Sequence, residues 1–175
     1  MKRSLFLWQF GGYTFAVVLG TLLHFLYDLT GSIYVTPISA VNESTFEHMK
    51  ILFFPMLFYA IFESLVLKKE YPNFWTAKLI GTLIGIELIP ILFYTFKGCF
   101  GAPPDWLNIL FFFTSAFFAY YYESLILKSG KYKKFNVISI ILLVLTAVLF
   151  IVFTYYPPTL PLFLDPVTNK YSIIK

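Results

Sequence analysis

The sequence predicts an all-α, polytopic membrane protein with five transmembrane helices. Hydrophobic residues make up 59% of the chain and charged residues only 13%, about half the charged fraction of a typical soluble domain. The hydrophobic residues form five runs of 21 to 23 residues, and about 20 helical residues cross the ~30 Å hydrocarbon layer of a membrane. No run alternates polar and apolar residues, so we predict helices rather than barrel strands.

The five predicted spans belong to one domain, residues 1–157. Their approximate bounds are 5–27, 46–67, 74–96, 106–127 and 136–156. The first run follows a basic start, as in a signal peptide, but it is too long and no small-x-small cleavage site follows it. We therefore expect it to be retained as the first span. Residues 158–175 form a proline-rich tail, which we expect to lie along the outer face of the membrane.

The basic residues predict the orientation of the spans, because they concentrate on the cytoplasmic side of membrane proteins. With five spans, nine lysines and arginines fall on one side and four on the other. The nine are Lys2, Arg3, Lys68, Lys69, Lys78, Lys128, Lys131, Lys133 and Lys134. This bias predicts a cytoplasmic N-terminus and an extracytoplasmic C-terminus. No basic surface stands apart from the membrane flanks, so we expect membrane lipids as partners and no nucleic acid.

An internal repeat relates the first four spans. Residues 58–69 match residues 118–129 at six of twelve positions, with an offset of 60. Residues 20–22 and 81–83 share Gly-Thr-Leu with an offset of 61. We infer two hairpins that run the same way through the membrane, related by an axis along its normal and followed by a fifth helix. Chance similarity between aromatic-rich helices is the alternative.

Small residues at helical spacing predict close packing between the spans. Gly81 and Gly85 are four residues apart in the third span, and Gly12, Ala16 and Gly20 are spaced likewise in the first. Such residues let helix backbones approach each other where lipid gives no hydrophobic drive for association. We therefore expect a compact bundle.

The few ionisable residues predict a polar pocket at the outer end of the bundle. The two histidines, His24 and His48, fall at one level because the first span runs outward and the second runs inward. Ionisable groups cost at least ~2.5–3.5 kcal/mol each when exposed to lipid near the midplane, so they normally face the interior or a water-filled cavity. We expect the loop 30–42 and the tail to roof this pocket. The candidate ligand-binding residues are His24, Asp28, Glu43, Glu47, His48, Glu87 and Tyr94.

Several of these residues also have structural interpretations. Ser44 and Glu47 have the spacing of a capping box, in which each side chain bonds the backbone N–H of the other residue. Glu43 lies near the positive end of the second span, where a loop carboxylate is stabilised without any ligand. His24 and Asp28 share one helical face, so they form either a working pair or a simple hydrogen bond.

Three glutamates inside the predicted spans require partners. Glu87 lies among non-ionisable residues of the third span, where no capping or interfacial role fits it. Glu63 and Glu123 share the context Glu-Ser-Leu-x-Leu-Lys near the inner ends of the second and fourth spans, which suggests equivalent positions about the repeat axis. They form either a shared inner site or two separate side chains that extend toward Lys68 and Lys128.

Histidine and carboxylate ligands suit a divalent metal such as zinc, or a two-metal site with manganese or iron. The candidate metal ligands are His24, Asp28, Glu47, His48 and Glu87. The leading hypothesis is a pocket that binds a metal ion or a small polar ligand in transport or sensing. A metal-dependent intramembrane hydrolase acting on a lipid or an amide is the second hypothesis. A structural subunit of a membrane complex is the third, and an oligomer or complex partner fits each of them.

The chain lacks the residues or motifs that several other kinds of site require. Two histidines at one depth suit haem, but the surrounding carboxylates disfavour it. Cys99 is the single cysteine, which excludes an intrachain disulfide and a thiolate metal cluster. The sequence contains no serine elbow, Walker loop, HExxH motif or dinucleotide fingerprint. Serine-hydrolase and nucleotide-driven functions are therefore disfavoured.

A set of short motifs carries a family resemblance: Leu23-His24-Phe25, Asp28, Gly31, Val41-Asn42-Glu43-Ser44, Glu47-His48, Phe54-Pro55, Pro161-Leu162-Phe163 and Asp165-Pro166. Through these residues the chain resembles a family of small bacterial integral membrane proteins that is classed only as a domain of unknown function. The resemblance covers nearly the whole chain and is most specific between His24 and His48. It implies a multi-pass protein of the bacterial cytoplasmic membrane and brings no activity, cofactor or partner.

Overall fold

The structure, a computed structural model, describes the backbone of residues 2–171 and the side chains of residues 5–171. This part of the chain contains five long helices and no strand. Each helix is long and apolar enough to cross a membrane, so the predicted fold class is confirmed and the chain is a multi-pass membrane protein. The helices are α1 (Lys2–Thr30), α2 (Thr45–Leu67), α3 (Phe74–Phe100), α4 (Asp105–Ser129) and α5 (Asn136–Tyr155), with short 3₁₀ turns at Lys133–Phe135 and Pro161–Phe163.

Most of the helices extend beyond the predicted apolar runs. α1 continues to Thr30 and α3 continues to Phe100, because polar residues at a membrane surface can still complete the hydrogen bonds of a helix. Glycine ends two of the helices. Gly101 follows α3 with φ +89° and Gly130 follows α4 with φ +63°, a left-handed conformation that glycine adopts without a steric cost.

The first four helices form a ring in which each helix packs on two others. α1 contacts α2 and α4, and α3 contacts the same two helices, while α5 packs outside the ring on α3 and α2. α2 and α4 therefore lie on a diagonal of this ring. The N-terminal end of the bundle is the end at which α1 begins, and the C-terminal end is the opposite one.

The glycines of the predicted packing motifs lie at close helix contacts. A Cβ atom added at Gly81 would lie 2.8 Å from the Ala119 carbonyl oxygen and 2.8 Å from Glu123 Cβ. A Cβ atom at Gly12 would lie 2.5 Å from the Tyr120 ring and 2.7 Å from the Tyr59 ring. Gly81 thus lets α3 approach α4 closely, and Gly12 lets α1 approach α2 and α4 closely.

The loop before α2 and the tail after α5 pack over the C-terminal end of the bundle. Thr36 and Ser39 of the loop are fully buried. In the tail, the Phe163 ring lies 4.5 Å from the Phe46 ring and 5.6 Å from the Phe153 ring, measured between centroids. These contacts attach both segments to α2 and α5, next to the predicted pocket.

Candidate metal centre

Two histidines and one glutamate meet at the C-terminal end of the bundle. His24 lies on α1, His48 lies on the first turns of α2, and Glu43 lies in the loop just before α2. Glu43 Oε2 is 3.5 Å from His24 Nε2 and 3.7 Å from His48 Nε2, and the imidazole centroids are 5.2 Å apart. One ligand atom from each residue lies within 4.8 Å of the other two, so a single metal ion can reach all three.

The backbone fixes the tautomer of neutral His48. His48 Nδ1 lies 2.9 Å from the Ser44 carbonyl oxygen, which accepts hydrogen bonds and cannot donate them. Nδ1 therefore carries the proton and donates it to Ser44. In the neutral ring, Nε2 is then an acceptor that lies 3.7 Å from the Glu43 carboxylate oxygen, which is also an acceptor. Two facing acceptors repel each other unless a proton or a cation lies between them.

The loop places Glu43 between the two histidines through its backbone contacts. Ala40 N–H donates to the Leu23 carbonyl at 3.2 Å, which attaches the loop to α1 beside His24. Ser44 caps α2, and its hydroxyl accepts the Glu47 N–H at 3.4 Å. Glu43 thus lies between a contact to α1 and the first residue of α2, within reach of both rings.

Glu47 belongs to a second, buried polar cluster that supports this loop. The Lys50 ammonium lies 2.6 Å from Glu47 Oε2 and donates to the Thr36 carbonyl at 2.9 Å and to Thr154 Oγ1 at 2.8 Å. Glu47 Oε2 also accepts the Val41 N–H at 3.1 Å. The Glu47 carboxylate therefore accepts the Val41 N–H, whereas in a complete capping box it would accept the Ser44 N–H. Because this carboxylate is paired with Lys50, Glu47 lies outside the histidine cluster.

The histidines lower the pKa of the Glu43 carboxyl. The contact with the His24 imidazole is the largest cause, and the charges of both rings act in the same direction, whereas partial burial raises this pKa. The Glu43 side chain is 44% exposed, while the two histidine side chains are only about one-fifth exposed. The site is therefore open at Glu43 and is largely enclosed by protein on its imidazole side.

The remaining predicted ligands lie outside this three-residue cluster. Asp28 is exposed on α1, one turn beyond His24, and acts on it only through its charge. Glu87 is exposed on α3, and Tyr94 is half-buried on the same helix. An almost uniformly apolar helix does not reveal which of its faces packs inward, and the structure places Glu87 on an exposed face. A role for these three residues in ligand binding stays a prediction.

The predicted inner pair forms a second polar centre at the N-terminal end. Glu63 on α2 and Glu123 on α4 are both fully buried, and both contact the ammonium of Lys78 on α3. The Lys78 Nζ to Glu123 Oε1 distance is 2.5 Å. Gln9 on α1 donates to Glu63 Oε1 at 3.1 Å and to Glu123 Oε1 at 2.7 Å. All four helices of the ring thus contribute one side chain to this inner cluster.

Comparison with known proteins gives one match. Residues 2–173 match the family described as "Family of unknown function (DUF6512)". The chain belongs to this family. The match confirms the predicted resemblance to an uncharacterised family over nearly the whole chain. The comparisons with curated proteins and with solved structures found no match.

In this DUF6512 protein, the sequence pattern reveals the acidic and imidazole groups but not their cationic partners. Lys50 and Lys78 contribute to the charge bias as topology markers at the ends of spans, yet both are buried. A charge pattern cannot identify Gln9, because its side-chain amide is uncharged. One signal in the sequence could have identified Lys78. Glu63 and Glu123 require a cation inside the membrane, and Lys78 lies within an apolar run at the same end of the bundle.

Proposed function

We propose that this DUF6512 protein binds a divalent transition metal ion such as zinc at His24, Glu43 and His48, in metal transport or sensing. Two imidazole nitrogens and a carboxylate oxygen are ligands that zinc prefers. The observation that carries the proposal is the tautomer of neutral His48, which leaves Nε2 as an acceptor 3.7 Å from the Glu43 carboxylate oxygen. A bound cation removes the repulsion between these two acceptors.

The surroundings of His48 support metal binding in a second way. Histidines that bind metals almost always donate their other ring N–H to a carbonyl, a carboxylate or a water, which fixes the ring and its tautomer. The hydrogen bond from His48 Nδ1 to the Ser44 carbonyl has this form. Because Ser44 also caps α2, the helix itself holds the ligand in position.

The exposure of the site favours an exchangeable ion over a purely structural one. Three protein ligands leave at least one coordination position open, and closed structural zinc sites normally have four protein ligands. Glu43 is also accessible to solvent at 44% of its side chain. These features suit a protein that takes up, releases or senses an ion.

The charge bias assigns this site to the extracytoplasmic side of the membrane under our proposal. The His24–Glu43–His48 cluster lies at the end opposite to the loops 68–73 and 130–135, which contain most of the basic loop residues. The positive-inside rule assigns such basic loops to the cytoplasm. The resemblance to small bacterial membrane proteins further suggests a bacterial cytoplasmic membrane.

The direct test is zinc binding by the purified protein in detergent, measured by competition with a chromophoric chelator. We expect one zinc ion per chain. His24→Ala, His48→Ala and Glu43→Gln should each weaken zinc binding by at least about 100-fold, because loss of an outer-shell partner alone costs 10- to 100-fold. Size-exclusion chromatography of each variant shows whether the fold is kept.

Asp28→Asn is the matched control for these substitutions. It removes a carboxylate one helical turn from His24, where it changes the local charge without removing a ligand of the proposed ion. The variant should keep zinc affinity to within a few-fold. Zinc affinity that is equal in the wild type and in all three ligand variants would rule out this site.

A metal-dependent hydrolase is the second candidate, favoured by the ligand set. Two histidines and a glutamate are the ligands of several catalytic zinc sites, where the open position holds the attacking water. The partly buried site beside the lipid phase would suit a lipid or amide substrate. Turnover of a lipid by the zinc-loaded wild type, and its loss in Glu43→Gln, would favour this function over transport or sensing.

A further inference from the structure

The inner cluster contains two carboxylates and only one ammonium group. Glu63 and Glu123 are fully buried, and Lys78 is 2% exposed. With all three groups ionised, the cluster has one excess negative charge. Burying an uncompensated charge away from water is unfavourable, and more so within a membrane. One further positive charge makes the cluster neutral.

The hydrogen bonds show where that charge is missing. Lys78 Nζ contacts Glu63 Oε2 and Glu123 Oε1, while Gln9 Nε2 donates to Glu63 Oε1 and again to Glu123 Oε1. Three of the four carboxylate oxygens therefore have a donor. Glu123 Oε2 is buried and has no hydrogen-bond partner among the described residues.

The position between the carboxylates is already occupied by the Lys78 ammonium. A metal ion bound by both glutamates would have to displace this group from a buried site. A proton needs no such space, because it forms an O–H bond on a carboxylate oxygen that is already present. The chemistry of the cluster therefore favours a proton over a metal ion.

A buried tyrosine provides an independent indication of an incomplete site. Tyr120 is 4% exposed, its ring lies 5.6 Å from Lys78 Nζ, and its hydroxyl has no hydrogen-bond partner among residues 5–171. The Gln9 Oε1 atom is likewise buried and without a hydrogen bond in that part of the chain. Tyr120 precedes Glu123 by three residues on α4, so the two side chains share one helical face. Both unpaired atoms can accept a hydrogen bond from a protonated carboxyl group.

The cluster lies close to the aqueous phase at one end of the bundle. Glu63 is four residues before the end of α2 at Leu67, and Lys78 is four residues after the start of α3 at Phe74. At 1.5 Å per residue this corresponds to about 6 Å, or roughly one helical turn. The distance that a proton has to travel from the N-terminal end of the bundle to the cluster is therefore short.

We propose that Glu63, Glu123, Lys78 and Gln9 form a proton-binding site, in which the two carboxylates hold one exchangeable proton at neutral pH. Proton binding forms one O–H bond on a carboxylate oxygen and involves no electron transfer. The ionisable groups that the described residues direct at this site are Glu63 and Tyr59 from α2, Lys78 from α3, and Glu123 and Tyr120 from α4, while α1 contributes the neutral Gln9. The site is separate from the metal centre at the opposite end.

Infrared spectroscopy of the full-length protein in detergent tests the proposal. The wild type at neutral pH should show the C=O stretch of a protonated carboxylic acid, with a shift in D₂O, at an intensity of one carboxyl per chain. Glu63→Gln and Glu123→Gln should each remove this band. In either variant one carboxylate remains, and Lys78 balances its charge without any proton.

Thermal unfolding provides a second readout. Between the ordinary glutamate pKa of about 4.3 and the pH at which the folded protein releases this proton, the folded wild type holds one more proton than the unfolded chain. Over that range its folding constant should fall by up to about tenfold per pH unit as the pH rises. Both single variants should lack this dependence and be more stable than the wild type at alkaline pH. Glu87→Gln removes an exposed carboxylate from α3 and should behave as the wild type in both experiments.

Two results would overturn the proposal. The first is a wild-type spectrum with no protonated carboxyl at neutral pH. The second is a band that persists in either single glutamine variant, because the charge balance would then not depend on the pair. Neither result bears on zinc binding, which involves other residues.

Discussion

Glu63 and Glu123 lie 60 residues apart in the sequence and contact the same ammonium group, that of Lys78. They occupy matching positions on α2 and α4, the two diagonal helices of the four-helix ring. The shared Glu-Ser-Leu-x-Leu-Lys context therefore corresponds to a shared location in three dimensions. Two like charges thus meet between α2 and α4, and α1 and α3 supply the groups that bind them.

Removal of the Lys78 ammonium should severely destabilise the protein. Lys78→Met leaves two buried carboxylates without a cation, and breaking a buried ion pair in this way typically costs about 3–5 kcal/mol. Chemical or thermal unfolding in detergent measures the loss. Lys97→Met, which removes an exposed lysine from the same helix, is the matched control and should be close to neutral.

The triple variant Lys78→Met, Glu63→Gln, Glu123→Gln should recover much of this stability, because the inner cluster then contains no charge. A Lys78→Met protein as stable as the wild type would show that the ammonium contributes nothing to folding.

The close contact between α3 and α4 should not tolerate even a methyl group at Gly81. The added Cβ atom would lie 2.8 Å from the Ala119 carbonyl oxygen, which belongs to the backbone and cannot move aside alone. We expect Gly81→Ala to cost about 1–3 kcal/mol of unfolding free energy. Gly98→Ala on the same helix is the control, since nothing lies within 4 Å of its Cβ position, and it should be neutral or stabilising.

The buried Lys50 should be required both for stability and for the geometry of the metal centre. Lys50→Met leaves the Glu47 carboxylate buried without its cation and removes two further hydrogen bonds, to Thr36 and Thr154. We expect a loss of about 3–5 kcal/mol and weaker zinc binding, because the loop that holds Glu43 loses its attachment. The double variant Lys50→Met, Glu47→Gln should regain stability more fully than zinc affinity. Unchanged zinc affinity in a folded Lys50→Met protein would contradict the positioning role.

The metal-free protein should lose a stabilising contribution from Glu43 in acid. The pKa of this carboxyl is lowered in the folded state, so its contribution is fully present above the ordinary glutamate pKa of about 4.3 and is lost as the pH falls through the lowered value. The effect should be small because Glu43 is 44% exposed. Unfolding of the wild type and of Glu43→Gln between about pH 7 and pH 3 measures it, and the two stability curves should converge at the acid end.

Glu87 distinguishes a three-residue metal centre from the wider pocket predicted from the sequence. It lies exposed on α3 and outside the His24–Glu43–His48 cluster. Glu87→Gln should therefore leave zinc affinity unchanged, measured by the same chelator competition. A loss as large as that in Glu43→Gln would instead support the wider pocket.

The membrane class and the number of helices follow from the amino-acid sequence alone. Apolar runs longer than 20 residues have few alternatives to membrane-spanning helices, because unpaired backbone groups are too costly in lipid. The helix contacts at Gly12 and Gly81 are also predictable, since small residues at helical spacing serve close approach. The common level of His24 and His48 along the bundle also follows from span direction, because antiparallel neighbours bring their ends to one level.

Which polar residues face each other depends instead on how the helices pack. A charge pattern gives the depth of a residue along its helix but not the rotation of that helix about its axis. The sequence pattern thus predicts Glu87 in the same half of the bundle as the histidines, yet Glu87 lies on an exposed face. Lys50 and Lys78 turn inward and pair with buried carboxylates, and the sequence pattern does not predict these pairs. Rotation is fixed by the packing of all five helices together, and the need of every buried charge for a counter-charge selects the arrangement that is observed.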